Sequence, residues 1–150
     1  MFALRRSGGV LTLILAAATP ALAQQPSPAG HVKIASGSAF IVRQNATIPA
    51  RPGEPVFASD ALRTGVDGTV GVTLNDDTRL SLGSSSEVRL DRYVYAPGEG
   101  GFGMVLSFVR GVAAYVSGRM AKLAPDSIRL ETPAAIVGVR GTTIAVRVDP

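Results

Sequence analysis

An all-β fold is what this 150-residue sequence predicts, built of short strands in a sandwich or β-roll/solenoid-like arrangement with at most one short helix. Three observations carry that prediction. Val, Ile and Thr supply 30 of the 127 residues after position 23, and such β-branched residues fit a pleated surface. Gly and Pro supply another 24, spaced as punctuation between short apolar runs. Apolar and polar residues alternate with a period of two, and no long stretch repeats at helical spacing.

The first segment reads as an export signal rather than part of the fold. Arg5 and Arg6 form a positive start, Val10–Ala18 is an apolar run, and Pro20 breaks it. Ala21-Leu22-Ala23 has the small-x-small pattern of a signal-peptidase site, so cleavage between Ala23 and Gln24 is expected. The run is shorter than the roughly 18–20 residues needed to span a bilayer, so contact with the membrane is expected only during export. The adjacent arginines leave both general secretion and the twin-arginine route open. The expected organisation is residues 1–23 as signal peptide, 24–31 as a disordered leader and 32–150 as one β domain, periplasmic or secreted.

Within the domain, Phe40 and Val42 alternate with Ile41 and Arg43. Val70, Val72 and Leu74 alternate with Thr69, Gly71 and Thr73. Leu80 and Leu82 flank Ser81, and Val88 and Leu90 flank Arg89. Asp67-Gly68, Asn75-Asp76-Asp77 and Gly83-Ser84-Ser85-Ser86 lie between these runs and are good turn sequences. Met104–Val109 is nearly continuous apolar sequence, as expected of a strand buried on both faces, and Val112–Val116 continues after Gly111. Met120–Ala124 suits one or two helical turns ended by Pro125. Ile128–Thr132, Ala135–Val139 and Thr143–Val148 read as the last strands.

Composition removes much of enzymology. The chain has no Cys and a single His, so thiolate chemistry, disulfides and a His-rich metal centre are excluded. After removal of the signal, 13 basic residues face 11 acidic ones, a charge of +2 that gives no argument for nucleic acid. No cofactor, metal or catalytic residue is expected.

Several motifs have a functional reading and a plainer one. Gly98-Glu99-Gly100-Gly101-Phe102-Gly103 matches G-x-G-x-x-G, but a strand follows where a dinucleotide site needs a helix, so a hairpin loop is expected. Asp76-Asp77 reads as a turn cap rather than a catalytic pair. Asp60, Asp67, Asp76 and Asp77 lack the ligand spacing of a calcium loop. His31 is expected to be solvated. Asn45-Ala46-Thr47 matches a glycosylation sequon by pattern. Tyr93 and Tyr95 share a strand face, where packing is expected rather than sugar stacking. The most distinctive stretch is Thr132–Thr142, TPAAIVGVRGT. Pro133 suits a strand start or edge, and Gly138 and Gly141 flank Val139-Arg140 as at a sharp corner, where Arg140 is expected to pair with an acid inside the domain.

At these residues the chain resembles the FecR domain family. Asp60-Ala61-Leu62-Arg63-Thr64-Gly65 followed by Asp67-Gly68 resembles the family's opening block. Asn75–Gly83 resembles its DGT-x-L-x-L element, with Asp77 in place of the usual Gly, and Glu87-Val88-Arg89-Leu90 its next strand. Leu106–Gly118 followed by TPAAIVGVRGT resembles its ending. The resemblance covers about residues 32–148. It implies a small all-β extracytoplasmic domain without catalytic residues, in which Thr64, Gly65, Thr132, Pro133, Gly138, Arg140, Gly141 and Thr142 are structural or partner-binding. Founding members relay a signal from an outer-membrane iron-siderophore receptor to a cytoplasmic sigma factor. The first 30 residues here hold only an export signal, so no cytoplasmic sigma-binding arm is expected. The expected function is that of an exported, non-enzymatic binding or sensing module of the cell envelope, whose partner is an envelope protein or glycan. A structural or assembly subunit is the alternative. A less favoured one is a glycan-active enzyme using Asp60, Asp76, Asp77 or Glu87.

Overall fold

The computed structural model describes residues 18–139 and 143–149; residues 1–17, 140–142 and 150 lie outside them, and with them most of the export signal and Arg140, Gly141 and Thr142. The described residues form twelve strands: β1 (Gly30–Ser36), β2 (Ala39–Arg43), β3 (Ala46–Pro49), β4 (Pro55–Val56), β5 (Ala61–Thr64), β6 (Thr69–Leu74), β7 (Arg79–Leu82), β8 (Glu87–Ala96), β9 (Gly101–Val116), β10 (Ile128–Glu131), β11 (Ile136–Gly138) and β12 (Thr143–Val148). One five-residue helix, α1 (Arg119–Leu123), follows β9, and Pro125 stands where it can no longer continue.

The strands form one curled sheet in the order β3-β2-β5-β8-β9-β7-β6-β1-β4, with β10 and β12 also paired to β9, and β11 to β10. Every pairing is antiparallel except β9 with β10. The all-β expectation therefore stands, but the solenoid-like version does not, since stacked coils would pair in parallel.

Strand β9 organises the sheet. Its first half lies between β8 and β10, and its second half between β7 and β12. The apolar run that continues past Gly111 is one strand in the structure, Gly101–Val116, and it bends at that glycine. Gly111 has φ +81°, and a Cβ at that position would lie 2.2 Å from Ser86 Oγ. The Ser86 hydroxyl uses that space. It accepts from the Val112 N–H at 2.9 Å and lies 3.0 Å from the Val112 carbonyl oxygen. Bends of this kind are how a strand passes from one layer to the other around a shared core.

The core is a single cluster drawn from both halves of the sheet, with Ile41, Leu80, Met104, Leu106, Phe108, Tyr115, Met120 and Leu130 fully buried. Each such side chain contributes about 1.5–3 kcal/mol by leaving water. The period-two readings at Val70, Val72 and Leu74, at Leu80 and Leu82, and at Val88 and Leu90 correspond to inward faces. On β2 the inward face is that of Ala39 and Ile41, while Phe40 and Val42 are half-buried. In the apolar run of β9, Met104, Leu106, Ser107 and Phe108 are buried, whereas Val105 and Val109 are only partly covered.

Strand β8 carries a bulge between Leu90 and Arg92. Leu90 faces Leu106 and Tyr93 faces Met104, so two residues on β8, Asp91 and Arg92, lie opposite the single Val105 on β9. The extra residue keeps both Leu90 and Tyr93 on the core side and leaves Arg92 on the outer face.

The leader was expected to run through His31, but the ordered domain starts earlier. Ala29 is buried, its N–H donates to Val56 O at 2.7 Å, and its carbonyl accepts from Asn75 N–H at 2.8 Å. An apolar residue with two such backbone partners is fixed in place. His31 lies exposed in β1. Ala21, Ala23 and Gln24 are exposed and lie outside any helix or strand.

Gly111→Ala should lower stability by about 2–4 kcal/mol in urea unfolding, through the left-handed φ and the clash with Ser86. Gly98→Ala, in open space on the β8–β9 hairpin, should stay within about 0.5 kcal/mol of the parent. Equal effects at the two sites would contradict the role given to Gly111.

Candidate functional site

The acidic residues singled out by the sequence are each taken up by a different local partner. Asp60 precedes β5 and is 1% exposed. Its carboxylate accepts from Arg43 Nε at 2.9 Å, from Arg43 Nη2 at 2.8 Å and from the Phe57 N–H at 2.8 Å. The Arg43 guanidinium also covers the Phe57 ring, 4.5 Å from its centroid. The pair is bidentate and holds the β4–β5 corner against β2.

Asp76, in the β6–β7 turn, is fully buried. It accepts from the Thr78 hydroxyl at 2.7 Å, from the Tyr93 hydroxyl at 3.0 Å, and from the backbone N–H groups of Thr78 and Met120 at 3.3 Å. Its own carbonyl accepts from the Arg119 N–H at 2.6 Å. One carboxylate thus joins the turn, β8 and the start of α1. Adjacent Asp77 points to solvent at φ +67° and pairs with Arg119 at 3.0 Å. Glu87 lies between Arg63, at 3.2 Å, and Arg110, at 3.7 Å. Asp67 is exposed in the β5–β6 turn, and its hydrogen bond from Ser38 lowers its pKa. Among the described residues no group of three or more His, Asp or Glu side chains is placed to hold a metal ion.

The motif residues occupy two regions. Thr64 ends β5 and is buried; its hydroxyl donates to Gly83 O at 2.6 Å and accepts from the Ser86 N–H at 2.9 Å. Gly65 follows where a Cβ would lie 2.9 Å from Ser38 Cβ. Thr132 and Pro133 form the turn between β10 and β11. The Thr132 hydroxyl accepts from the Ala135 N–H at 3.0 Å, and the Thr132 N–H donates to Ala135 O at 2.8 Å. Pro133 has no N–H to satisfy there. Gly138 ends β11 with open space around it.

Tyr93 and Tyr95 do not form a free aromatic platform. The Tyr93 hydroxyl is bound to Asp76, and Tyr95 packs against Phe102 with ring centroids 6.2 Å apart. The G-x-G-x-x-G segment forms the β8–β9 hairpin: a 3₁₀ turn over Pro97–Glu99, then Gly100 at φ +66°, then β9.

One groove, of about 670 Å³, lies on the outer side of β8–β11. Arg92, Phe102, Val105, Arg129, Ile136 and Gly138 are among its lining residues. Arg92 lies over Gly103, where a Cβ would sit 3.1 Å from its Nε, so the absence of a side chain there lets the guanidinium lie close to β9. No ion pair joins Arg92 to a described residue. Arg129 is ion-paired with Glu131, Nε to Oε1 at 3.2 Å. Sequence reading missed this site, because the bulge that turns Arg92 outward has no marker in the sequence.

Fold and site together define a small all-β domain that draws its carboxylates into internal contacts and leaves strand edges open. A family model described as FecR protein matches residues 60–150, and the chain belongs to the FecR family. FecR domains are sensing and signal-transduction domains of the cell envelope. Strands β1–β4 precede the matched region but share its sheet and core. No curated protein and no solved structure matches the chain. Among the described residues no helix is long and apolar enough to cross a membrane.

The Asp76–Tyr93 pair sets a pH dependence. Burial, and then the Asp76 charge, raise the Tyr93 pKa well above its ordinary value of 10.0. Burial also raises Tyr115. A group whose pKa is higher folded than unfolded contributes stability that is complete below the unfolded value and lost as pH rises through the folded one. Stability measured by urea unfolding should therefore hold up to about pH 10 and fall above it. Tyr93→Phe should cost about 1–2 kcal/mol at pH 7 and make the alkaline fall shallower. An unchanged alkaline slope would remove Tyr93 as its source.

Proposed function

We propose that this chain is an exported, non-enzymatic binding or sensing module of the cell envelope that acts through protein–protein contacts. Membership of the FecR family is the observation that carries this reading. The chemistry of the acidic residues supports it. A glycan hydrolase needs two carboxylates converging across a substrate, whereas Asp60, Asp76, Asp77 and Glu87 each face a different basic or hydrogen-bonding partner. Thr64, Gly65, Thr132 and Pro133 serve this reading by shaping the β5 end and the β10–β11 hairpin. Ala21 and Ala23 are the signal-peptidase recognition residues, which makes Gln24 the first residue of the exported chain.

The test is affinity capture from envelope extracts with the exported protein as bait, after its first residue has been read by mass spectrometry. The expected result is a chain beginning at Gln24 that retains the same protein partner in repeated captures and in competition with unlabelled bait. Retention of a glycan fraction alone, or no competable partner under several extraction conditions, would contradict the protein-binding reading.

A further inference from the structure

The second edge of β11 has no strand beside it among the described residues. Sheet edges are commonly protected by charge, proline or a covering element. The other exposed edges follow that rule: β3 ends in Pro49, β4 begins with Pro55 and β12 carries Arg147. Strand β11, Ile136-Val137-Gly138, has none of these devices, and Ile136 is 66% and Val137 41% exposed.

Its backbone is oriented to accept a partner. Thr132 and Ala135 are a hydrogen-bonded pair at the turn. Bonded and non-bonded pairs alternate along an antiparallel ladder. With the register Glu131↔Ile136, Leu130↔Val137 and Arg129↔Gly138, Val137 bonds toward β10. The N–H and C=O groups of Ile136 and Gly138 therefore point to the open side.

The same register places charge beside that edge. Arg92, Val105, Arg129 and Gly138 form one row across β8, β9, β10 and β11. Gly138 has no side chain, and no described residue lies within 4 Å of where one would begin, which leaves that row open between Arg129 and a strand laid beside β11. Such a strand would lie about 10 Å from β10, two strand spacings away, a gap that an Arg and a Glu side chain close by reaching toward each other. Arg129 is ion-paired with Glu131 at 3.2 Å, and Arg92 has no ion-pair partner among the described residues. Asp126, also in the groove, has an interaction of its own.

We infer that the free edge of β11 takes an extended peptide segment of a partner protein, with an acidic residue opposite Gly138 and apolar residues opposite Val137 and Ile136. This rests on the protein-binding reading above and gives its surface and its partner chemistry. Backbone hydrogen bonds to Ile136 and Gly138 supply affinity, and Arg129, on the strand next to β11, supplies specificity.

The probe is a fluorescein-labelled nonapeptide of Thr, Val and Ile with one Glu at its centre, compared by anisotropy with versions carrying Gln or Lys there. The Glu peptide should bind the exported protein about tenfold more tightly than the Lys peptide. The variant Arg129→Glu should reverse that order, with its thermal unfolding confirming an intact fold. Methylating alternate backbone nitrogens of the Glu peptide should abolish binding without any change to the protein. Equal binding of the Glu and Lys peptides, undiminished binding of both N-methylated registers, or no binding at about 1 mM would overturn the inference. If partner capture succeeds while these peptides fail, the binding-module reading stands and the surface lies elsewhere.

Discussion

Strand β9 runs for sixteen residues through both halves of the sheet. Residues 104–107 have β8 on one side and β10 on the other; residues 113–116 have β7 and β12. Among the described residues no other strand holds four partners. A small domain with no disulfide has few ways to resist opening, and a shared central strand is one of them: separating the halves would break ladders on both sides of β9 and expose Met104, Leu106, Phe108 and Tyr115 together. The bend at Gly111 makes the sharing possible, because a straight strand of this length could not line both halves of one core.

The polar groups divide along the same line. Asp60, Thr64, Asp76 and Ser86 point inward and fix the turns whose strands β9 gathers. Their hydrogen bonds run between elements distant in sequence, from Arg43 to Asp60 and from Tyr93 and Met120 to Asp76. Leaving any one of them buried without its partner costs more than the bond itself is worth. What remains outward is a set of strand edges and a groove with arginines on it.

Local pattern made much of the fold legible. Alternation gave the inward faces of β6, β7 and the first part of β8, and the turn residues gave the connections between them. Ile41 was harder, because Phe40 and Val42 form an equally apolar opposite face and only tertiary packing chooses between them. The continuation of β9 past Gly111 was legible, but the bend there was not, because the sequence does not show that this glycine takes a positive φ. The domain start at Ala29 was hidden by the proline-containing leader, since burial of a single Ala under Val56 and Asn75 has no sequence signature. The motif at Thr132 and Pro133 was visible as a block, but its part as a hairpin turn beside an open edge depends on the register of β10 and β11. Arg92 was invisible as a site residue, because one extra residue in β8 decides which way it points.

Native-state hydrogen exchange of the β9 amides, followed as a function of urea, tests the role given to this strand most directly. If β9 is the shared spine, protected amides in residues 104–108 and in residues 113–116 exchange with one free energy and one urea dependence, both equal to those of global unfolding. Exchange of one half at markedly lower free energy than the other would show two separately opening units, and would contradict the account.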